Sequence, residues 1–220
     1  MSDYYISTNQ LAEYSISTEA SKKRILKQQK APNKFLIPWY QKAKSATKKY
    51  LFNTSDTTPI DKAISELNLK IPTNNRQKID KAVSIEALEE LKKIKIPSTL
   101  KHLNYEIVNI DERSIMIDGV DVIVAPEIVI KAKRKNQIIY GGVKIHISKG
   151  KPFNMLQAQH VATTVYKLLE TKIAKDNEQV VPELCFCLDV FSGNLVPPPS
   201  NINKEISKIK FLCNEIKSYW

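Results

Sequence analysis

The chain has 220 residues, 42% of them hydrophobic, and a formal net charge of +11. This length supports one sizeable core with an appendage, and the hydrophobic content excludes disorder throughout; five glycines and eleven prolines exclude collagen-like and low-complexity classes. No apolar run reaches the roughly 18 residues of a membrane span, and the opening MSDYYISTNQ has neither the basic start nor the apolar run of a signal peptide, so a cytoplasmic protein without membrane contact is expected.

The charge is concentrated early. Residues 1–53 hold ten Lys and Arg against three Asp and Glu, interleaved with Phe35, Trp39, Tyr40, Tyr50 and Phe52. That mixture suits a polyanion such as nucleic acid.

In chain order, residues 4–30 read as helix, with Ser7, Thr8 and Asn9 and then Ser17 or Thr18 as caps, stopped by Pro32. A second helix follows with Pro38 in its first turn. Its apolar stripe is Ile37, Tyr40, Ala43, Ala46 and Tyr50, and Lys42, Lys44, Lys48 and Lys49 fall largely off that stripe. Residues 54–59 form a turn with Asp56 or Thr58 as cap, leading into a short helix from Ile60 to Leu69. Residues 73–82 read as a polar connection or short helix, after which Ser84 caps IEALEELKKIK. Leu88, Leu91 and Ile94 form one face of that helix, and Glu86, Glu89 and Glu90 another.

Beyond Pro97 the pattern alternates with period two. Residues 105–110, 113–118, 120–132 and 138–148 read as β-segments. Asp118-Gly119 is a strong hairpin signal, and KRKNQ makes the next turn. A long helix runs from Asn154 to about Lys175, burying Leu156, Val161, Val165, Leu168 and Leu169. LCFCLDVF (184–191) reads as a strand covered on both faces, SGNLVPPPS as a turn, and Asn203 to Tyr219 as a closing helix. The expected fold is α/β (α+β): a mixed sheet flanked by helices in residues 83–220, with a basic helical extension in residues 1–82.

Alternation along 120–132 places Asp121, Ile123, Ala125, Glu127 and Val129 on one face. Gly142, Lys144, His146 and Ser148 share a face of the next strand, which brings Glu127 beside Lys144. Asp121 falls up to about 20 Å further along, at roughly 3.3 Å per residue, and joins Glu127 at one metal only through a bulge. Hydrolysis of a phosphodiester with Mg²⁺ or Mn²⁺ needs hard oxygen ligands, a group that positions water, and positive charge near the reacting phosphate. The candidate metal ligands are Glu127, Glu90 and Asp121, with Glu86 behind Glu90; Glu127, Lys144 and Glu90 are the candidate catalytic set. His146 on the lysine's face fits a hydrogen-bonded structural residue, and Asp189 inside an apolar strand needs a partner, either a lysine or the site.

Candidate backbone contacts to nucleic acid are Lys22, Lys23, Arg24, Lys27, Lys42, Lys48 and Lys49, joined by Lys133, Arg134 and Lys135 at the hairpin. These hold phosphates without reading sequence. Cys185 and Cys187 share one strand face and Cys213 stands apart, which fits packed thiols in a reducing compartment rather than zinc ligands. No GxSxG, HExxH, Walker A or GxGxxG run is present.

Pro126-Glu127, then Gly142-Val143-Lys144 after one hairpin, then a helix carrying Gln157 and Gln159, then the apolar strand 184–191 resemble the PD-(D/E)xK nuclease superfamily over about residues 84–191. The first fifty residues and the close (CLDVFSGNLVPPPS…EIKSYW) are similar to a bacterial protein family with a nuclease-like core. The resemblance implies a restriction-endonuclease-like fold, a metal-dependent nuclease with DNA favoured over RNA, and a defence or mobile-element setting. The superfamily carries an acid two residues before the lysine, where this chain has Gly142. Either Glu127, Asp189 or a helix glutamate supplies that acid, or the fold is kept without catalysis as a subunit that binds nucleic acid or a partner protein within a larger complex.

Overall fold

The computed structural model describes residues 2–31 and 39–220. The expected features at Pro32, Phe35, Ile37 and Pro38 lie outside these residues. Among the described residues no helix is long and apolar enough to cross a membrane.

The first segment is not a single helix. Tyr5–Ser7 form a short strand (β1), Thr8–Ser15 a helix (α1) and Glu19–Lys30 a second helix (α2). Ile6 is fully buried, and its strand finds a parallel partner more than a hundred residues away, a tertiary demand that outweighs local helix propensity. Ser7 then caps α1 by accepting from the Gln10 N–H.

Three helices follow: α3 (Gln41–Phe52), α4 (Thr58–Leu69) and α5 (Asn75–Lys93). The stripe expected on the first of these is buried at Ala43, Ala46 and Tyr50. Before α4, the N-cap position is Thr57, and Asp56 accepts from the Thr58 N–H. The connection expected over 73–82 is instead the first half of α5. Asn74 caps it by accepting from the Gln77 N–H, and Ser84 lies buried inside the helix rather than at its start. The boundary expected between residues 82 and 83 therefore falls within one continuous helix.

After a four-residue helix (α6, Ser98–Lys101), the strands are β2 (Tyr105–Val108), β3 (Ser114–Ile117), β4 (Val120–Ile123), β5 (Ile128–Arg134) and β6 (Gln137–His146). Helix α7 (Met155–Lys172), β7 (Glu178–Asp189), β8 (Asn194–Val196) and α8 (Ile202–Tyr219) complete the chain. The strand β8 falls where only a turn was expected.

Among the described residues two sheets form instead of one. The smaller has the order β1-β4-β3 and the larger β2-β5-β6-β7-β8. Residues 120–132, read as one strand, divide between them. Ala125 adopts φ 41°, and the N–H groups of Val124 and Ala125 both donate to the Arg113 carbonyl, so the chain leaves the small sheet before entering the large one. A left-handed alanine costs roughly 1–2 kcal/mol and carries no sequence signal of the glycine kind. Both hairpins have the expected short turns: Asp118-Gly119 (φ 49° and 80°) and Lys135-Asn136 (φ 47° and 65°).

The large sheet is covered on both faces. Helices α3, α4 and α5 pack Ala46, Leu51, Leu88 and Leu91 against Ile128, Val143, Ile145, Phe186 and Leu188. Helix α7 covers the opposite face with Val161, Val165, Leu168 and Leu169, all fully buried, each burial worth about 1.5–3 kcal/mol. Leu156, expected on that buried side, is 39% exposed. The amino-terminal segment is fastened to the same layer: Gln157 donates to the Ala12 carbonyl at 3.0 Å, and the Thr8 and Thr164 hydroxyls meet at 2.6 Å.

Candidate functional site

Glu127 sits just before β5, beyond the point where β2 stops pairing, so the end of the sheet opens there into a cleft. The register of the β5–β6 hairpin sets Ile128 opposite Val143, which carries Glu127 opposite Lys144. Lys144 Nζ donates to the Ala125 carbonyl at 2.8 Å and stands 3.4 Å from Glu127 Oε1. The Ile145 N–H donates to Glu127 Oε2 at 2.7 Å. Lys44, reaching in from α3, places its ammonium 2.5 Å from Oε1.

Both ammonium groups thus meet Oε1 of the carboxylate, and a backbone donor meets Oε2. The side chains of Glu127 and Lys144 are only 7% and 12% exposed. Burial pulls the Lys144 ammonium below the usual lysine range, and the attraction of Glu127 opposes that shift. A buried carboxylate flanked by two lysines is an ion-pair cluster whose stability depends on all its members.

Cavities lie on either side of Glu127. One, of about 340 Å³, is lined by Gln41, Lys44, Ser45, Lys48, Arg113 and Ala125–Glu127. A smaller one, of about 110 Å³, adds Phe52, Ile110 and Glu112. Lys48 and Arg113 are exposed on its walls. Lys44 and Lys48 are four apart on α3 and so project from one face.

The expected metal ligands are not brought together. Asp121 lies in β4 of the other sheet, paired in register with Tyr5. Glu90 is on the surface of α5 in an ion pair with Lys93, and Glu86 pairs with Lys149. Asp189 is fully buried, but its partner is neither a lysine nor the cleft. Its two oxygens accept the N–H groups of Phe153 and Ser192 at 2.6 and 2.8 Å, tying together the loops before α7 and after β7. Among the described residues no group of three His, Cys, Asp or Glu side chains is placed to hold a metal ion. Mg²⁺ and Mn²⁺ take several oxygen ligands, and here the Glu127 carboxylate is already engaged by the Lys44 and Lys144 ammonium groups and the Ile145 N–H.

Gly142, two residues before Lys144, stands where the resemblance implied an acid. A Cβ there would stand 3.0 Å from Val165 Cγ1, 3.1 Å from the Ile128 carbonyl and 3.3 Å from Leu169 Cδ1. The position faces the packed side of α7, where any side chain must displace Val165, Leu169 or the Ile128 backbone.

His146 is structural: its Nε2–H donates to the Lys151 carbonyl at 2.9 Å, and its ring stacks on Phe153 at 3.6 Å. Burial lowers its pKa. Burial also pushes the thiols of Cys185 and Cys187 far above the ordinary range, so neither is a nucleophile near neutrality. Gln157 completes a capping box with Asn154 at the start of α7.

The basic residues divide among three places. Lys22 is drawn into an ion pair with Glu215, and Lys23 into one with Glu19; Arg24 and Lys27 are exposed on the same helix, α2. Lys133, Arg134 and Lys135 are exposed at the hairpin tip, the far end of β5 from Glu127. Of the α3 group, Lys42 pairs with Glu66, Lys49 is exposed, and Lys48 enters the cleft. Lys44 and Arg113 were not among the expected contacts. The first had a signal, its four-residue spacing from Lys48. The second had none, because only the crossing of the chain between sheets brings Arg113 there. The sequence matches no protein-family model and no curated protein.

Proposed function

We propose that this chain binds the phosphate backbone of nucleic acid in the cleft beside Glu127 and does not hydrolyse it. The carrying observation is the Glu127 carboxylate held by Lys44, Lys144 and the Ile145 N–H on the floor of a cleft walled by Lys48 and Arg113. In this reading the core is a restriction-endonuclease-like one. The antiparallel β5–β6 pair, the crossover helix α7 and β7 parallel to β6 support it, as does Pro126-Glu127 standing opposite Lys144.

The acid and lysine keep the superfamily's relative placement, while the second acid gives way to packing at Gly142. The remaining cations at the cleft turn a site for metal-bound phosphate into one that meets phosphate directly. Lys48 and Arg113 are the contacts, and Glu127 fixes Lys44 and Lys144 at the cleft floor instead of holding an ion.

Such binding weakens linearly in log–log salt plots, with a slope of about −0.9 for each phosphate contact on a duplex and about −0.7 on a single strand. Fluorescence anisotropy with labelled oligonucleotides between about 50 and 200 mM salt reads that slope. The paired substitution Lys48→Ala, Arg113→Ala is expected to make it shallower by about 1.4 on a single strand and about 1.8 on a duplex. An unchanged slope, or no binding by the unaltered protein, overturns the reading.

A further inference from the structure

A second cavity, of about 460 Å³, opens at the start of α3 and is lined by Trp39, Lys42, Leu67, Lys70, Arg76 and Asp80, among others. Its size falls within the usual range of small-molecule sites, about 300–1,000 Å³. Gln41 and Ser45 line both this cavity and the cleft beside Glu127, so the two meet along one face of α3. From Gln41, at the start of the helix, to Lys48 that face runs about 10 Å, at 1.5 Å per residue.

The chemistry of the two ends differs. The cleft beside Glu127 presents Lys44, Lys48 and Arg113. The other end presents an indole, 41% exposed, with the Arg76 guanidinium 5.3 Å over its ring. Planar aromatic and guanidinium groups are the surfaces on which unstacked bases sit. Asp80 is committed to the turn, accepting the Tyr40 N–H at 2.9 Å. Tyr40 takes φ 61° there, a left-handed conformation that holds Trp39 at the cavity rim immediately before the helix.

We propose that this cavity takes one unpaired base of the strand whose phosphates lie on Lys48 and Arg113, so that the ligand is a single-stranded nucleic acid. The inference rests on the phosphate-binding reading of the neighbouring cleft. A duplex keeps its bases stacked inside and offers none to the indole, whereas a single strand supplies phosphates to one end of α3 and a base to the other. An aromatic platform of this kind is tolerant of sequence.

The test titrates the full chain with a labelled single-stranded DNA oligonucleotide and with its duplex, at fixed salt, for the unaltered protein, Trp39→Ala and Trp39→Phe. The single strand is expected to bind at least about tenfold more tightly than the duplex. Trp39→Ala is expected to lower single-strand affinity about 5- to 150-fold, the usual effect of removing one stacking residue, with the duplex affinity and the salt slope unchanged. Trp39→Phe restores most of the loss, which separates stacking from damage to the fold. Equal losses on single strand and duplex, or a Trp39→Ala effect under twofold, overturn this inference while leaving phosphate binding in place. If neither ligand binds the unaltered protein, both readings fall together.

Discussion

Gly142→Glu, which places an acid two residues before Lys144, is expected to destabilise the protein by more than about 4 kcal/mol and to confer no metal-dependent activity. Two costs combine. Overpacking a filled core costs about 1–3 kcal/mol, and the first added carbon already crowds Val165, Leu169 and the Ile128 carbonyl. A carboxylate placed against Val165 and Leu169 adds several kcal/mol more as an unpaired buried charge. Against a total stability of 5–15 kcal/mol for ordinary domains, the variant unfolds at much lower urea or is not recovered as a folded protein. Gly142→Ala separates the terms and is expected to cost only about 1–3 kcal/mol. A well-folded Gly142→Glu protein that Mg²⁺ stabilises would show that α7 leaves room for the acid and that the donor set can be completed.

The second large effect concerns the cluster itself. Glu127→Ala removes the one anion from between Lys44 and Lys144 and leaves Lys144, 12% exposed, with only the Ala125 carbonyl as partner. It also deprives the Ile145 N–H of its acceptor. Breaking one side of a buried pair costs about 3–5 kcal/mol, which for a chain of this size lowers the melting temperature by on the order of 10 °C. Lys144→Met is expected to cost much less, under about 2 kcal/mol, because the carboxylate keeps Lys44 and the backbone donor while the apolar stem still fills the space. The Lys44 ammonium is half exposed, so Lys44→Ala is expected to fall within about 1 kcal/mol. Chemical denaturation of the three variants orders them. Equal costs for Glu127→Ala and Lys144→Met would mean that the carboxylate is not the keystone of the cluster.

The Glu127–Lys144 juxtaposition could be read before any coordinates because hairpin register is local. With a two-residue turn at Lys135 and Asn136, each step back along β5 is a step forward along β6, and the count ends with Glu127 opposite Lys144. The both-faces-buried strand from Leu184 was legible for a similar reason: a continuous apolar run has no solvent face to give away. What lay hidden depended on distant partners. Asp121 and Glu127 appeared to share a strand because alternation does not reveal that the chain changes sheets between them, and the residue that turns it, Ala125, is not one that ordinarily takes a positive φ. Residues 73–82 read as a polar connection or short helix and Ser84 as the cap that follows, and only the burial of Ser84 against the core shows that one helix, capped by Asn74, runs through both. Of the cations that close the cleft, Lys44 is linked to Lys48 by its spacing, whereas Arg113 is brought there by the crossing between sheets, which no local pattern specifies.

The Glu127 carboxylate at the cleft floor is neutralised by lysines rather than by a metal ion. Incubation of the purified protein with labelled single-stranded and duplex DNA in Mg²⁺, Mn²⁺ or EDTA, resolving both bound complex and cleaved product, tests it most directly. A complex is expected to form with or without chelator, with no product under any condition. Product that requires a divalent metal and disappears in both Glu127→Ala and Lys144→Ala would contradict it.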